Sequence, residues 1–183
     1  IVSRDWSSDV CSSDLKLIMG HYGDPNQDKK KLDESLLPNH YAISLSGEPT
    51  MYPKLPELIK YLKSLEATKS IFLVTNGQEP DMIQKLQDEN ALPTQLYLST
   101  NAADYQSFLK INRPRYDDSW ERWNRTLKML STLDTRTVLR ITLIRGYNDD
   151  KEMISAFTSL LRQSNAHLDR KSTRLNSSHV KRS

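Results

Sequence analysis

The feature that most constrains this chain is an alternation of strand and helix that repeats four times between residues 41 and 162. Each short apolar segment typical of a strand is followed by a segment with apolar residues at helical spacing. Because helices separate the strands, we expect parallel strands that are joined by right-handed crossovers. The predicted strands cover residues 41–46, 70–75, 94–99 and 137–144.

Alternation within the predicted strands bears on the architecture. In the fourth strand Leu139, Ile141 and Leu143 alternate with Arg140 and Thr142. One face is therefore apolar and suited to covering helices, while the other is polar and suited to lining a lumen. An open doubly wound sheet and part of a β/α barrel both fit the order of elements, and this alternation favours the barrel. The expected fold class is α/β, with about four parallel strands and flanking helices.

Length and composition exclude several classes of protein. The 183 residues are 37% hydrophobic and 27% charged, which is typical of one globular domain. No apolar run approaches the ~20 residues that a membrane-spanning helix needs. A single cysteine, Cys11, excludes a disulfide framework and a multi-cysteine metal site within this chain.

The two ends of the chain have no helical or strand period. One sequencing-adapter oligonucleotide, read in different frames on its two strands, encodes the serine-rich stretches of both ends. We therefore expect residues 1–15 and 169–183 to be non-native and residues 16–168 to form the domain. The two ends carry six basic and four acidic side chains, so the net charge of +3 falls to +1 without them.

Candidate functional residues follow the predicted strands, where ligands bind in parallel α/β folds. Gly47, Gly77 and Gly146 lie there, beside Glu48 and two asparagines, Asn76 and Asn148. Glycine permits positive φ and close approach of a ligand, and a carboxylate can hold an ammonium group. The same residues are also common in simple turns, so both interpretations remain open.

A basic loop lies farther along the chain. Arg113 and Arg115 flank Pro114, and the guanidinium groups could contact phosphates. The alternative is a plain surface connector. No phosphate-binding glycine loop, zinc motif or Ser-His-Asp order occurs in the sequence.

Six sequence stretches, in order and at similar spacing, carry a resemblance to a known family. The chain resembles the tRNA 4-demethylwyosine synthase family of radical S-adenosylmethionine (SAM) enzymes, and its archaeal members in particular. The resemblance spans nearly all of residues 20–160. The stretches are YAISLSGEPTMYP (41–53), FLVTNG (72–77), LPTQLYLST (92–100), INRP (111–114), WERW (120–123) and TRTVLRITLIRGYN (135–148).

The resemblance implies a radical SAM partial β/α barrel and a reaction. SAM is reductively cleaved at a 4Fe–4S cluster, and the resulting radical attacks the methyl group of N1-methylguanosine at position 37 of phenylalanine tRNA. Two carbons of pyruvate are then added to give 4-demethylwyosine. The implied partners are the anticodon loop of that tRNA, pyruvate and an electron donor. We expect a cytoplasmic monomer with no membrane association.

The resemblance also assigns roles to residues. Gly47 and Glu48 would hold the methionyl amino group of SAM, and Arg140 would bind its carboxylate bidentately. The tRNA side is assigned to Arg113 and Arg115. The remaining residues of the cofactor pocket would be Thr75, Asn76 and Ser99.

The chain departs from the family pattern in its cysteines. The family's CxxxCxxC loop, its other cysteines and the lysine linked to pyruvate handling precede the first strand, and none is present here. Three thiolates are needed to hold a cluster that leaves one iron open. We therefore expect residues 16–168 to be an internal fragment that binds no cluster and is inactive. Another radical SAM enzyme, of activase or maturation type, and a non-catalytic α/β binding domain remain as alternatives.

Overall fold

The computed structural model describes residues 25–26, 28–31, 38–44 and 47–171, with side chains described as far as residue 167. Five parallel strands form one sheet in the order β1-β2-β3-β4-β5. The strands are β1 (His40–Ile43), β2 (Ser70–Thr75), β3 (Gln95–Ser99), β4 (Arg136–Thr142) and β5 (His167–Lys171). The α/β class and the parallel pairing expected from the sequence are confirmed.

Helices lie in each connection after β2, β3 and β4, and one follows the loop after β1. They are α1 (Leu55–Ser64), α2 (Pro80–Asp88), α3 (Tyr105–Asn112), α4 (Ser119–Met129) and α5 (Lys151–Ser164), and a single 3-10 turn (Pro49–Met51) precedes α1. Asp104 and Asp150 cap α3 and α5, each accepting a hydrogen bond from a backbone N–H of the first turn. The short connection from β2 to α2 places the start of α2 close to the end of β2.

The order of the strands bears on the choice between barrel and doubly wound sheet. In a doubly wound sheet the strand order reverses at a switch point, and the ligand binds there. Here spatial order equals chain order among the described strands. This is the order of strands in the wall of a β/α barrel. The sheet therefore agrees with the partial barrel that strand alternation favours.

The two faces of the sheet differ in burial. Ile71, Leu73, Leu96 and Leu98 are fully buried and belong to one core cluster with residues of α1, α2 and α4. The other face carries half-buried side chains, among them Phe72, Tyr97 and Arg140. The Phe72 and Tyr97 rings pack edge to face, with 6.2 Å between their centroids. The helices thus cover one face and leave the other for a lumen.

The fifth strand is an addition to the four that the sequence predicts. β5 pairs with β4 from His167 opposite Val138 to Lys171 opposite Thr142. It extends three residues into the segment that we expect to be adapter-derived. Backbone pairing needs no particular side-chain pattern, so the absence of a strand period in this segment did not reveal it.

Candidate functional site

The carboxylate of Glu48 joins the loop after β1 to the end of β2. Its Oε1 accepts hydrogen bonds from the Thr50 backbone N–H (3.2 Å), the Thr50 hydroxyl (2.5 Å) and the Thr75 hydroxyl (2.6 Å). Its Oε2 accepts one, from the backbone N–H of Asn76 (2.7 Å). Gly47, with φ of 85°, lets the chain turn between β1 and this carboxylate. The structure thus brings together four of the predicted site residues.

The two oxygens of Glu48 differ in their remaining capacity. A carboxylate oxygen has about two lone-pair sites, so Oε1 is saturated by its three donors. Oε2 has one acceptor site left. Glu48 is half-buried, so it is not enclosed in the core. The arrangement can therefore hold one ammonium group in a fixed position.

Hydrogen bonds of buried side chains hold the turn after β2. The buried Thr75 hydroxyl accepts a hydrogen bond from the Gly77 N–H (3.0 Å) while it donates to Glu48. The hydroxyl of Thr126, on α4, donates to the Gly77 carbonyl (2.8 Å). Asn76 is exposed, and its side-chain oxygen accepts from the N–H of Gln78 (2.9 Å). The exposed amide of Asn76 thus lies on a turn that is fixed on its other side.

Ser99 and Arg140 are neighbours on the open face. They are register partners on β3 and β4, and both are half-buried. The Arg140 carbonyl accepts from the Thr100 N–H (2.9 Å), and the Ser99 carbonyl accepts from the indole N–H of Trp123 (3.3 Å). The strand ends are thereby fixed while both side chains stay on the lumen side. Ser99 lies on the strand next to β2, and Arg140 lies two strands from the Thr75–Asn76 end of β2.

Asn148 has a structural role in the loop after β4. Its side chain is fully buried, donates to the carbonyls of Asn101 (2.7 Å) and Thr142 (2.9 Å), and accepts from the N–H of Ile144 (2.5 Å). These bonds hold the loop after β4. The turn interpretation of Asn148 is therefore favoured over direct contact with a ligand.

The basic loop after α3 lies at the same edge of the sheet. Asn112 accepts a hydrogen bond from the side chain of Asn101, just beyond β3, at 3.1 Å. Arg113 ends α3 in the left-handed conformation, with φ of 44°. Arg113 and Arg115 are exposed. They are thus near the strand ends, but no contact joins them to Glu48 or Arg140.

Some residues of this site were missed from the sequence. Thr50 falls inside the quoted SGEPT stretch, where its distance of two residues from Glu48 is a signal for a local side-chain bond. Trp123 and Thr126 lie three residues apart on α4, and helical spacing alone gives neither a role in the site. Their bonds to the carbonyls of Ser99 and Gly77 depend on tertiary packing.

The described part of the chain holds no group of three His, Cys, Asp or Glu side chains that could bind a metal ion. The sequence contains one cysteine, Cys11, which lies outside the described residues. The 183 residues therefore do not fit a 4Fe–4S cluster that needs three thiolates. They do offer a carboxylate, an amide and a guanidinium toward the same edge of the sheet, on β1–β2 and on β4, and these groups suit the polar groups of an amino acid–nucleoside such as SAM. In the same described ranges, no helix is both long and apolar enough to cross a membrane.

Comparison with known proteins identifies the family of this chain. The Radical SAM superfamily model matches residues 18–157. The chain is 44% identical over 133 residues to an S-adenosyl-L-methionine-dependent tRNA 4-demethylwyosine synthase of Pyrococcus abyssi, covering 73% of this chain and 38% of the relative. The corresponding proteins of Methanocaldococcus jannaschii and Homo sapiens are 42% and 39% identical, over 83% and 76% of this chain and 45% and 18% of their own lengths.

A solved structure agrees with these sequence matches. The structure of TYW1 with a lysine–pyruvate adduct bound superposes with a TM-score of 0.72 at 40% identity, over 89% of this chain and 52% of that one. The chain thus spans less than half of the length of these three relatives and about half of the solved structure. These similarities do not favour either alternative function, which were another radical SAM enzyme of activase or maturation type and a non-catalytic α/β binding domain.

Proposed function

Because the chain belongs to the radical SAM superfamily, we propose that it is the SAM-binding wall of a tRNA 4-demethylwyosine synthase. The reaction of the whole enzyme would convert N1-methylguanosine-37 of phenylalanine tRNA and pyruvate to 4-demethylwyosine. An electron donor would be a further partner, and the enzyme would act as a cytoplasmic monomer. The observation that carries the proposal is the Glu48 carboxylate, which Thr50 and the end of β2 hold in place while one acceptor site of Oε2 remains.

The proposed roles follow the geometry. Glu48 accepts a hydrogen bond from the methionyl ammonium of SAM through Oε2, and the positive φ of Gly47 keeps the backbone close to this group. Arg140 binds the methionyl carboxylate, since a guanidinium matches a carboxylate in shape and charge. Asn76 and Ser99 supply further polar contacts on the lumen side.

Thr75 acts differently from the other cofactor-site residues. Its hydroxyl already donates to Glu48 and accepts from Gly77, so it orients the carboxylate and has no donor left for SAM. We therefore treat Thr75 as a positioning residue. Arg113 and Arg115 serve the tRNA side.

The residues present do not fit a 4Fe–4S cluster. In radical SAM enzymes a 4Fe–4S cluster supplies the electron that cleaves SAM. With one cysteine, the 183 residues would bind no stable cluster and would be inactive by themselves. Anaerobic incubation with iron and sulfide, followed by iron analysis of the desalted protein, tests this. A stoichiometric cluster after desalting would refute it.

A chimera tests the proposed activity. Residues 20–160 replace the matching stretch of the Pyrococcus abyssi relative, and the product nucleoside is measured with N1-methylguanosine-37 tRNA, pyruvate and SAM. We expect 4-demethylwyosine. A chimera that binds SAM as tightly as the relative but forms no product would overturn the proposal.

A matched pair of variants in the same chimera tests the site. Glu48→Gln removes the charge that faces the ammonium and should weaken SAM binding about tenfold or more. Glu57→Gln removes a charge from the exposed side of α1 and should leave binding unchanged. Methylthioadenosine, which lacks the amino group, should bind equally to all three proteins. Equal losses of SAM binding in both variants would contradict the role of Glu48.

All of these site residues fall within residues 16–168, which we propose to be the native segment. Sequencing the source DNA across residues 15 and 169 tests this division. Continuous native coding sequence through either boundary would remove the adapter assignment at that end.

A further inference from the structure

Five side chains form a surface at the edge of the sheet where β3 and β4 end. We call it the basic rim: Lys110 on α3, Arg113 and Arg115 in the α3–α4 loop, and Arg145 and Tyr147 in the β4–α5 loop. Lys110 Nζ lies 5.0 Å from the centroid of the Tyr147 ring, which joins α3 to the β4–α5 loop. Tyr147 is 52% exposed, so its ring is accessible from solvent.

Three asparagines hold the loops of the basic rim together. The buried side chain of Asn148 donates to the Asn101 carbonyl, and the side chain of Asn101 donates to Asn112. The loops after β3, α3 and β4 are therefore linked in series by hydrogen bonds of 2.7 Å and 3.1 Å. The rim is organised before any partner arrives, which lowers the entropy cost of binding.

Four acidic groups near the rim have partners of their own, and a fifth, Asp117, is exposed two residues after Arg115. Asp104 and Asp150 cap α3 and α5, and Asp149 accepts a hydrogen bond from the Gly146 N–H. Asp118 pairs with Arg122. None of the ion pairs recorded for the described residues involves a rim cation. Within the described residues the rim cations are therefore not held in ion pairs, and they can contact an external anion.

We propose that the basic rim binds the single-stranded loop of an RNA, with the cations on phosphates and the Tyr147 ring stacked on a base. Lys and Arg side chains contact phosphates without regard to sequence, and aromatic rings bind unpaired bases because these expose a π-face. The inference rests on the proposed function, which makes the anticodon loop of tRNA the substrate, and it extends the RNA contacts to Lys110, Arg145 and Tyr147.

The test compares two triple variants of the 183-residue chain that lose the same charge. The rim variant is Lys110→Ala/Arg115→Ala/Arg145→Ala. The control is Lys63→Ala/Lys128→Ala/Arg162→Ala, which removes cations from the last turns of α1, α4 and α5. Binding of a fluorescent hairpin with the anticodon loop of phenylalanine tRNA is followed by anisotropy at several salt concentrations.

We expect the rim variant to lose about tenfold or more in affinity and its log–log salt slope to fall by about 2, as three lost phosphate contacts require. The control should change by less than about threefold. Tyr147→Ala should weaken binding of the hairpin by about fivefold and leave binding of an RNA duplex unchanged, because only unpaired bases stack on the ring.

Equal losses in the two triple variants, or a wild-type chain that does not bind the hairpin, would overturn the inference. A preference for duplex that Tyr147→Ala does not alter would overturn the loop assignment. Failure of the proposed function looks different: the rim variant would still lose RNA affinity, while the chimera described above would form no 4-demethylwyosine.

Discussion

The turns after β2 and β4 both contain a glycine with nearly the same backbone angle, φ of 77° at Gly77 and 76° at Gly146. Their surroundings differ. A Cβ on Gly77 would lie 2.6 Å from Cδ1 of the buried Leu98 and 3.2 Å from Trp123, whereas nothing lies within 4 Å of a Cβ on Gly146. The first glycine is required by packing as well as by backbone conformation, and the second by conformation alone.

This difference separates two kinds of strand end. The β2 turn is enclosed between the core and α4, and it supports Glu48 and Asn76, which we assign to a small cofactor. The β4 loop is open, and it carries Arg145 and Tyr147, which we assign to a large RNA. Packing against the core and α4 fixes the β2 turn, which we assign to the cofactor. Hydrogen bonds from Asn148 fix the β4 loop, which we assign to RNA.

The pair of glycines gives the largest expected effect. Gly77→Ala adds a methyl group into a packed site at positive φ, so it should lower the free energy of unfolding by about 3 kcal/mol. Gly146→Ala meets only the conformational cost, about 1 kcal/mol. Urea denaturation of both variants measures the gap. Equal losses would mean that packing around Gly77 does not distinguish the two turns.

Asn148 tests whether hydrogen bonds alone hold the open side. Asn148→Ala removes three hydrogen bonds and leaves buried backbone groups without partners, so we expect a loss of about 2 kcal/mol in urea denaturation. Asn112→Ala removes one bond at a half-buried position and should cost about 0.5 kcal/mol. A loss for Asn148→Ala no larger than for Asn112→Ala would show that the loop is held in another way.

Thr126 variants test how much one hydrogen bond, from the Thr126 hydroxyl to the Gly77 carbonyl, contributes to holding the β2 turn. Thr126→Val keeps the shape but removes the donor to the Gly77 carbonyl, at an expected cost of about 1.5 kcal/mol. Thr126→Ser keeps the hydroxyl. We expect SAM binding of the chimera to fall with Val and recover with Ser. If Ser lowers SAM binding as much as Val does, the hydrogen bond is not what positions the turn.

Asp104 gives the smallest effect, together with a dependence on pH. The backbone N–H of Ser107 donates to its carboxylate and lowers the pKa of Asp104. A pKa that is lower in the folded chain stabilises the fold above the unfolded pKa, and this stabilisation is lost as the pH falls through the folded value. Asp104→Ala should therefore cost about 1 kcal/mol at neutral pH.

Asp104→Asn provides the control, because it keeps a capping oxygen without the charge. Its stability relative to the wild type should improve as the pH drops below about 4. Denaturant titrations at several pH values measure both variants. A constant difference between wild type and Asp104→Asn across this range would rule out the ionised cap.

Local pattern predicted much of this molecule. The β2 strand has the predicted bounds, 70–75, and alternation along β4 separated Leu139 in the core from the half-buried Arg140. Glycines after the strands indicated turns, and three have positive φ. What the sequence did not contain was the long-range pairing: Trp123 with Ser99, Thr126 with Gly77, and Asn148 with Asn101. Such bonds depend on where elements dock, and no spacing along the chain encodes them.

The chain order of the strands has a consequence for how the sheet is made. Each strand pairs with the strand immediately before it in the chain, so no strand must wait for a distant segment to be synthesised. Loop closure then spans one helix in the connection that leads to β2 or β3 and two helices, α3 and α4, in the connection that leads to β4, which keeps contacts local for a parallel sheet. The sheet can therefore grow from β1 to β4 as the ribosome releases the chain.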